Sequence, residues 1–137
     1  MTNPTKARQK KPSPKKKPSP QTHVIKIVSS RKFTSLLQSD LITANSNKYS
    51  QAWDVSEMSR ATFLVINHGR RNSAEVGLEI SPGKGYWLND GAPVITIPPQ
   101  GHAVLVANYF LHYARVHYRS LIPNRPTRLS IWYQGQK

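Results

Sequence analysis

The sequence predicts an all-β protein: an antiparallel β-sandwich or jelly roll preceded by an extended basic arm. Three observations carry this. Beyond residue 22 the chain alternates apolar and polar side chains with a period of two over several short stretches. Clusters of Gly, Pro and Asn separate those stretches, at the spacing of about 8–12 residues typical of sandwiches. No segment holds the 3.6-residue period of an amphipathic helix.

Residues 1–22 are the arm. They carry seven Lys/Arg, no acid, and Pro at 4, 12, 14, 18 and 20, with no Phe, Trp, Tyr, Leu, Ile or Val. Such a segment has nothing to bury, and its prolines and like charges favour an extended tether. Ser13-Pro14-Lys15-Lys16 resembles the Ser-Pro-Lys-Lys units of linker-histone tails, which lie along DNA grooves. Lys10, Lys11, Lys15, Lys16 and Lys17 are therefore the candidate polyanion contacts.

Residues 23–137 read as one β-sandwich domain. His23-Val24-Ile25-Lys26-Ile27-Val28 is a β-branched run directly after the arm. It suits an edge strand of the body, or a strand lent to a neighbouring subunit. Residues 29–50 lack a clean period and suggest one or two short strands, with Asn45-Ser46-Asn47 as a loop. Ala61–Ile66 is a nearly continuous apolar strand closed by Asn67-His68-Gly69. Ala74, Val76, Leu78 and Ile80 alternate with Glu75, Gly77 and Glu79, a strand with one polar face. Ser81-Pro82-Gly83-Lys84-Gly85 reads as a turn and Tyr86-Trp87-Leu88 as a short strand. Val94–Ile97 precedes the turn Pro98-Pro99-Gln100-Gly101. The strand after it looks apolar on both faces, with Ala103, Leu105 and Ala107 on one and Val104 and Val106 on the other. In the last two strands Ala114, Val116 and Tyr118 point inward, as do Leu129, Ile131 and Tyr133.

Charge and composition bound the function. The net charge of +14 divides equally, +7 on the arm and +7 on residues 23–137, which hold 13 basic and 6 acidic residues. Contact with a polyanion such as nucleic acid is therefore favourable. There is no cysteine, so neither disulfides nor thiolate metal sites are available. The one apolar run near the N-terminus is short and interrupted by Lys26, unlike a signal peptide or a membrane span. These features predict a protein made in the cytoplasm without a signal peptide and with no membrane partner.

Catalytic chemistry is thinly supplied. Glu75 and Glu79 share a solvated strand face, the other acids fall mostly in turns, and the five histidines have no ligand spacing and read as surface or turn residues. No enzyme activity, cofactor, metal or small-molecule substrate is expected. Trp132 shares its strand face with Arg128, the composition of an interface anchor. The outward row Arg115, His117 and Arg119, extended by Arg128 if the last two strands pair, makes a basic patch. It would bind a polyanion or meet Glu75 and Glu79 of a neighbouring subunit, a head-to-tail contact. Trp87 or Trp132 stacking on a sugar is a third reading, a carbohydrate-binding module.

A family resemblance follows from an ordered series of motifs. These are Trp53-Asp54-Val55-Ser56, Phe63–Asn67 with Gly69, Asn72–Val76, Leu78–Gly83, and Trp87 with Asp90. Leu105–Val116 with Tyr118-Arg119-Ser120 follows, then Leu129, Ile131 and Gln134-Gly135-Gln136. This segment resembles an uncharacterised bacterial domain family of spore-forming Gram-positives. By fold analogy the family is similar to endospore appendage pilins, jelly-roll subunits that polymerise through an N-terminal connector and strand augmentation. The resemblance implies a structural subunit that self-assembles into a filament or coat on the spore or cell surface. His23, Val24, Ile25, Lys26, Ile27 and Val28 would then be its connector. Those pilins cross-link through connector cysteines, which this chain lacks, so the implied homopolymer is non-covalent.

Overall fold

The computed structural model describes residues 33–137, and these form ten strands. In chain order they are β1 (Phe33–Ile42), β2 (Lys48–Tyr49), β3 (Trp53–Asp54), β4 (Arg60–Asn67) and β5 (Ala74–Gly83). There follow β6 (Tyr86–Asn89), β7 (Ile95–Ile97), β8 (His102–Val106), β9 (Tyr113–Ser120) and β10 (Arg128–Gln136). The first sheet has the order β1-β10-β4-β8; the second has β2-β9-β5-β6, with β3 also on β9 and β7 also on β5. All pairings are antiparallel, and consecutive strands cross repeatedly between the sheets. This is the expected sandwich of jelly-roll type.

Alternation explains the layering. In β4 the side chains of Ala61, Phe63, Val65 and Asn67 are buried while Thr62, Leu64 and Ile66 are only partly covered. Val76, Leu78 and Ile80 of β5, Val116 and Tyr118 of β9, and Leu129, Ile131 and Tyr133 of β10 complete the core between the sheets. The core closes on an aromatic group at one end: Trp53 stacks on Tyr133 with centroids 5.4 Å apart, and Phe63 tilts against both.

Three expectations are corrected. Residues 33–42 form one ten-residue strand, patternless because among the described residues β1 is an edge whose two faces are both largely exposed. It carries a bulge between Gln38 and Leu41, where Asp40 has φ 59°. Ser81-Pro82-Gly83 continues β5, and the chain reverses at Lys84-Gly85 instead. The strands carrying Arg119 and Arg128 do not pair, since β9 and β10 lie in different sheets. The runs His23–Val28, Lys10–Lys11 and Lys15–Lys17 lie outside the described residues.

Candidate assembly interface

The register of β5 on β9 builds the outer face of the second sheet. Glu75 lies opposite Arg119, Gly77 opposite His117, and Glu79 opposite Arg115. Cross-strand partners on one face are in reach of each other, so both acids find an arginine within the chain. Nε and NH2 of Arg119 donate to Glu75 Oε1, each at 2.8 Å. Those of Arg115 donate to Glu79 Oε1 at 2.9 and 2.8 Å. The acids expected to reach a neighbouring subunit are thus already partnered in cis, and the row is not a net basic patch. Arg115 is held further by two rings, its guanidinium carbon lying 3.8 Å from the Tyr49 centroid and 4.0 Å from that of Trp87.

His117, expected at the surface, is buried between these ion pairs. Its imidazole lies over Gly77, and Nδ1 has no hydrogen-bond partner among the described residues. Burial pushes the imidazole below its ordinary pKa, opposed by the nearby Glu79 carboxylate and reinforced by Arg115 and Arg119. The signal for this burial was Gly77 facing it across the ladder, which could be found only once the register was known.

Arg128 lies on the other sheet, where its NH1 donates to Asp40 Oδ1 at 3.2 Å in an exposed pair. Trp132 shares that outer face. Leu37 and Leu64 oppose it on the two flanking strands, and Val104 opposes Leu64. One apolar row, Leu37-Trp132-Leu64-Val104, therefore crosses all four strands on the outside of the sheet. Trp132 is half-buried within it.

The row ends at an open sheet edge. Asn67 N–H donates to Gly101 C=O, and Ala103 and Leu105 then face Val65 and Phe63. Antiparallel bonding alternates, so the backbone groups of His102, Val104 and Val106 are directed away from β4. Among the described residues no strand covers them. Val104 and Val106 are 55% and 57% exposed. Beside this edge a largely apolar groove of about 240 Å³ runs between the sheets, lined by Leu78, Ala92, Pro93, Ile95, Leu105 and the carboxylate residue Asp90. Sequence pattern marked this strand as apolar on both faces, but nothing in it identified the strand as an edge.

No described cluster of three or more His, Asp or Glu side chains converges on a metal-sized point. The nearest approach to an acid–base pair is His112 Nε2 with Asp54 Oδ2, 3.1 Å apart and exposed. Hydrogen bonds from the Ser56 hydroxyl and N–H hold Asp54 below the usual carboxylate range, with the imidazole adding a smaller effect. The pair ties residue 112 to β3 and lines no enclosed site.

Among the described residues, fold and surface together define a two-sheet antiparallel sandwich with an open apolar edge. The family model described as a domain of unknown function, DUF6385, matches residues 54–137, and the chain belongs to that family. No curated protein matches it. Among solved structures it is similar to a chain from Bacillus endospore appendages, described as a family of disulfide-linked pili. The identity is 8% and the TM-score 0.49, over 77% of this chain and 89% of that one.

Proposed function

We propose that the chain is a non-enzymatic structural subunit that assembles non-covalently into a filament or coat, with residues 1–28 as the connector. His23–Val28 pairs with an open sheet edge of a neighbouring copy. Main-chain hydrogen bonds supply affinity there, and alternate side chains such as Val24 or Ile25 supply specificity. The observation that carries this reading is β8, whose outward backbone groups and exposed Val104 and Val106 border a largely apolar groove. An edge of this kind is a template for strand addition. Deployment on the spore or cell surface belongs to the same reading, through the resemblance of residues 53–136 to a spore-former family. Because the chain has no cysteine, the polymer is held without disulfides.

Deleting residues 1–28 tests this. The shortened chain should show a cooperative unfolding transition yet give only monomers in negative-stain images under conditions where the full chain polymerises. Polymers from the shortened chain would sink the mechanism.

A second reading, polyanion binding through Lys10, Lys11 and Lys15–Lys17, is supported by the +7 charge of the arm. Sugar stacking has less support, because Arg115 already covers one face of Trp87 and Trp132 is packed into an apolar row.

A further inference from the structure

We infer that the loop end of the sandwich bearing Arg70, Arg71 and Arg125 is a docking surface for the phosphodiester backbone of duplex DNA, independent of the basic arm. This goes beyond the assembly role and does not rest on it. Four connections meet at this end: residues 43–47, 68–73, 98–101 and 121–127. None of them contains Asp or Glu. The two arginines nearest to these loops inside the sheets are offset, Arg119 by Glu75 and Arg128 by Asp40. Arg70, Arg71 and Arg125 have no carboxylate partner among the described residues, and all three are exposed. Lys48, whose ammonium donates to Ile42 C=O at 2.9 Å, adds a fourth cation next to the first loop.

The loops are bound to one another, so the arginines sit on a formed platform. Asn67 is the hub. Its Oδ1 accepts from Gly69 N–H at 2.9 Å and from the Thr127 hydroxyl at 2.7 Å, while Nδ2 donates to Asn72 C=O at 3.0 Å. Asn72 Nδ2 in turn donates to Pro126 C=O at 2.9 Å. Arg70 and Arg71 are therefore bracketed by Gly69 and Asn72, which rest against Thr127 and Pro126, and Arg125 is the next residue along. Asn45 and Asn124 exchange two further bonds of 2.8 and 3.1 Å across the end. Beside them an open depression of about 410 Å³ presents the exposed side-chain amides of Asn45 and Asn124, while the Thr43 and Ser120 hydroxyls at its floor are buried and bonded to each other at 2.8 Å. Guanidinium forks match phosphate oxygens in bidentate geometry, and side-chain amides commonly join them on a phosphate backbone. A platform that need not be ordered on binding also avoids much of the entropic penalty of docking.

The test uses the full chain with Lys6, Arg8, Lys10, Lys11, Lys15, Lys16 and Lys17 all changed to Gln, so that residues 1–22 carry no basic side chain. Fluorescence anisotropy of labelled duplex DNA should report binding at low salt with a linear log–log salt dependence. Adding R70Q/R71Q/R125Q should weaken it at least about tenfold and flatten the slope by about 2 to 3. The unfolding midpoint should stay unchanged. A control pair at the opposite end, R60Q/K84Q, should have a smaller effect. Three results overturn the inference: no binding by the arm-silenced chain, equal weakening by the control pair, or equal affinity for polyglutamate. The last would indicate an acidic protein as partner.

Discussion

Gly77 lies directly beneath the imidazole of His117, so that a methyl group on residue 77 would overlap the ring. The ring cannot simply move, because the Glu75–Arg119 and Glu79–Arg115 pairs flank it along the same face. Gly77→Ala should therefore destabilise the fold by about 1–3 kcal/mol, the range for overpacking a filled site. Urea unfolding measures it. Combining Gly77→Ala with His117→Ala should recover part of the loss, because the two effects share one contact. Strict additivity would show that the ring is not the obstacle.

The same burial makes stability depend on pH in a defined direction. The folded state holds His117 neutral below its ordinary pKa of 6.5, whereas the unfolded chain takes up a proton near that value. Its contribution is therefore fully present above pH 6.5 and is lost as pH falls from there toward the folded value. Glu75, Glu79, Arg115 and Arg119 are the charged groups that face the ring. Thermal unfolding followed from pH 7 down to about pH 5 should show a falling midpoint. His117→Gln should flatten that slope, and an equally steep slope in the variant would assign the dependence elsewhere.

The layering was legible in the sequence because a half-buried strand prints its burial as alternation: Ala114, Val116 and Tyr118 inward, Arg115 and Arg119 outward. What period two does not print is which strands are neighbours. Arg128 reads as part of the β9 charge row until the topology places β10 in the other sheet. Glu75 and Glu79 likewise read as free acids until a register sets them against two arginines. The apolar row through Trp132 and the basic loop end are assembled from residues far apart in the chain, and no local pattern reports them. Edge strand β1 escaped for a different reason, since exposure on both faces erases the alternation.

Arg115 is held by geometry that an ammonium cannot reproduce. Its planar group lies between Tyr49 and Trp87 while two of its N–H groups share Glu79 Oε1. Arg115→Lys keeps the charge but loses the stacking and the fork. A loss of about 1 kcal/mol is expected in chemical denaturation, with a change in tryptophan emission from Trp87. A Lys variant as stable as the native chain would show that the ring contacts contribute nothing.

Within the core, the Tyr133 hydroxyl is buried without a partner among the described residues. Burial pushes its pKa up, consistent with a hydroxyl kept from water. A buried donor with no acceptor carries a desolvation penalty, so Tyr133→Phe should be neutral or slightly stabilising. The ring itself is another matter, because it stacks on Trp53 and touches Phe63. Trp53→Ala should cost about 3–5 kcal/mol. Loss of stability in Tyr133→Phe would reveal an acceptor for that hydroxyl.

Under the proposed assembly, the edge that the described residues leave open at β8 separates assembly from folding. Val104 points into solvent, and its backbone N–H and C=O are directed away from β4, so changing it disturbs little inside the subunit. A lysine on an exposed edge discourages strand addition, since pairing would strip water from the ammonium or force it against an incoming apolar side chain. Val104→Lys should leave the unfolding free energy within about 0.5 kcal/mol of the native chain, as expected for a surface position. It should nevertheless abolish polymers seen by negative stain. Val104→Thr, of similar size and uncharged, should polymerise. If both variants assemble normally, β8 is not the receiving edge, and β1, the other end of the same sheet, becomes the strand to alter.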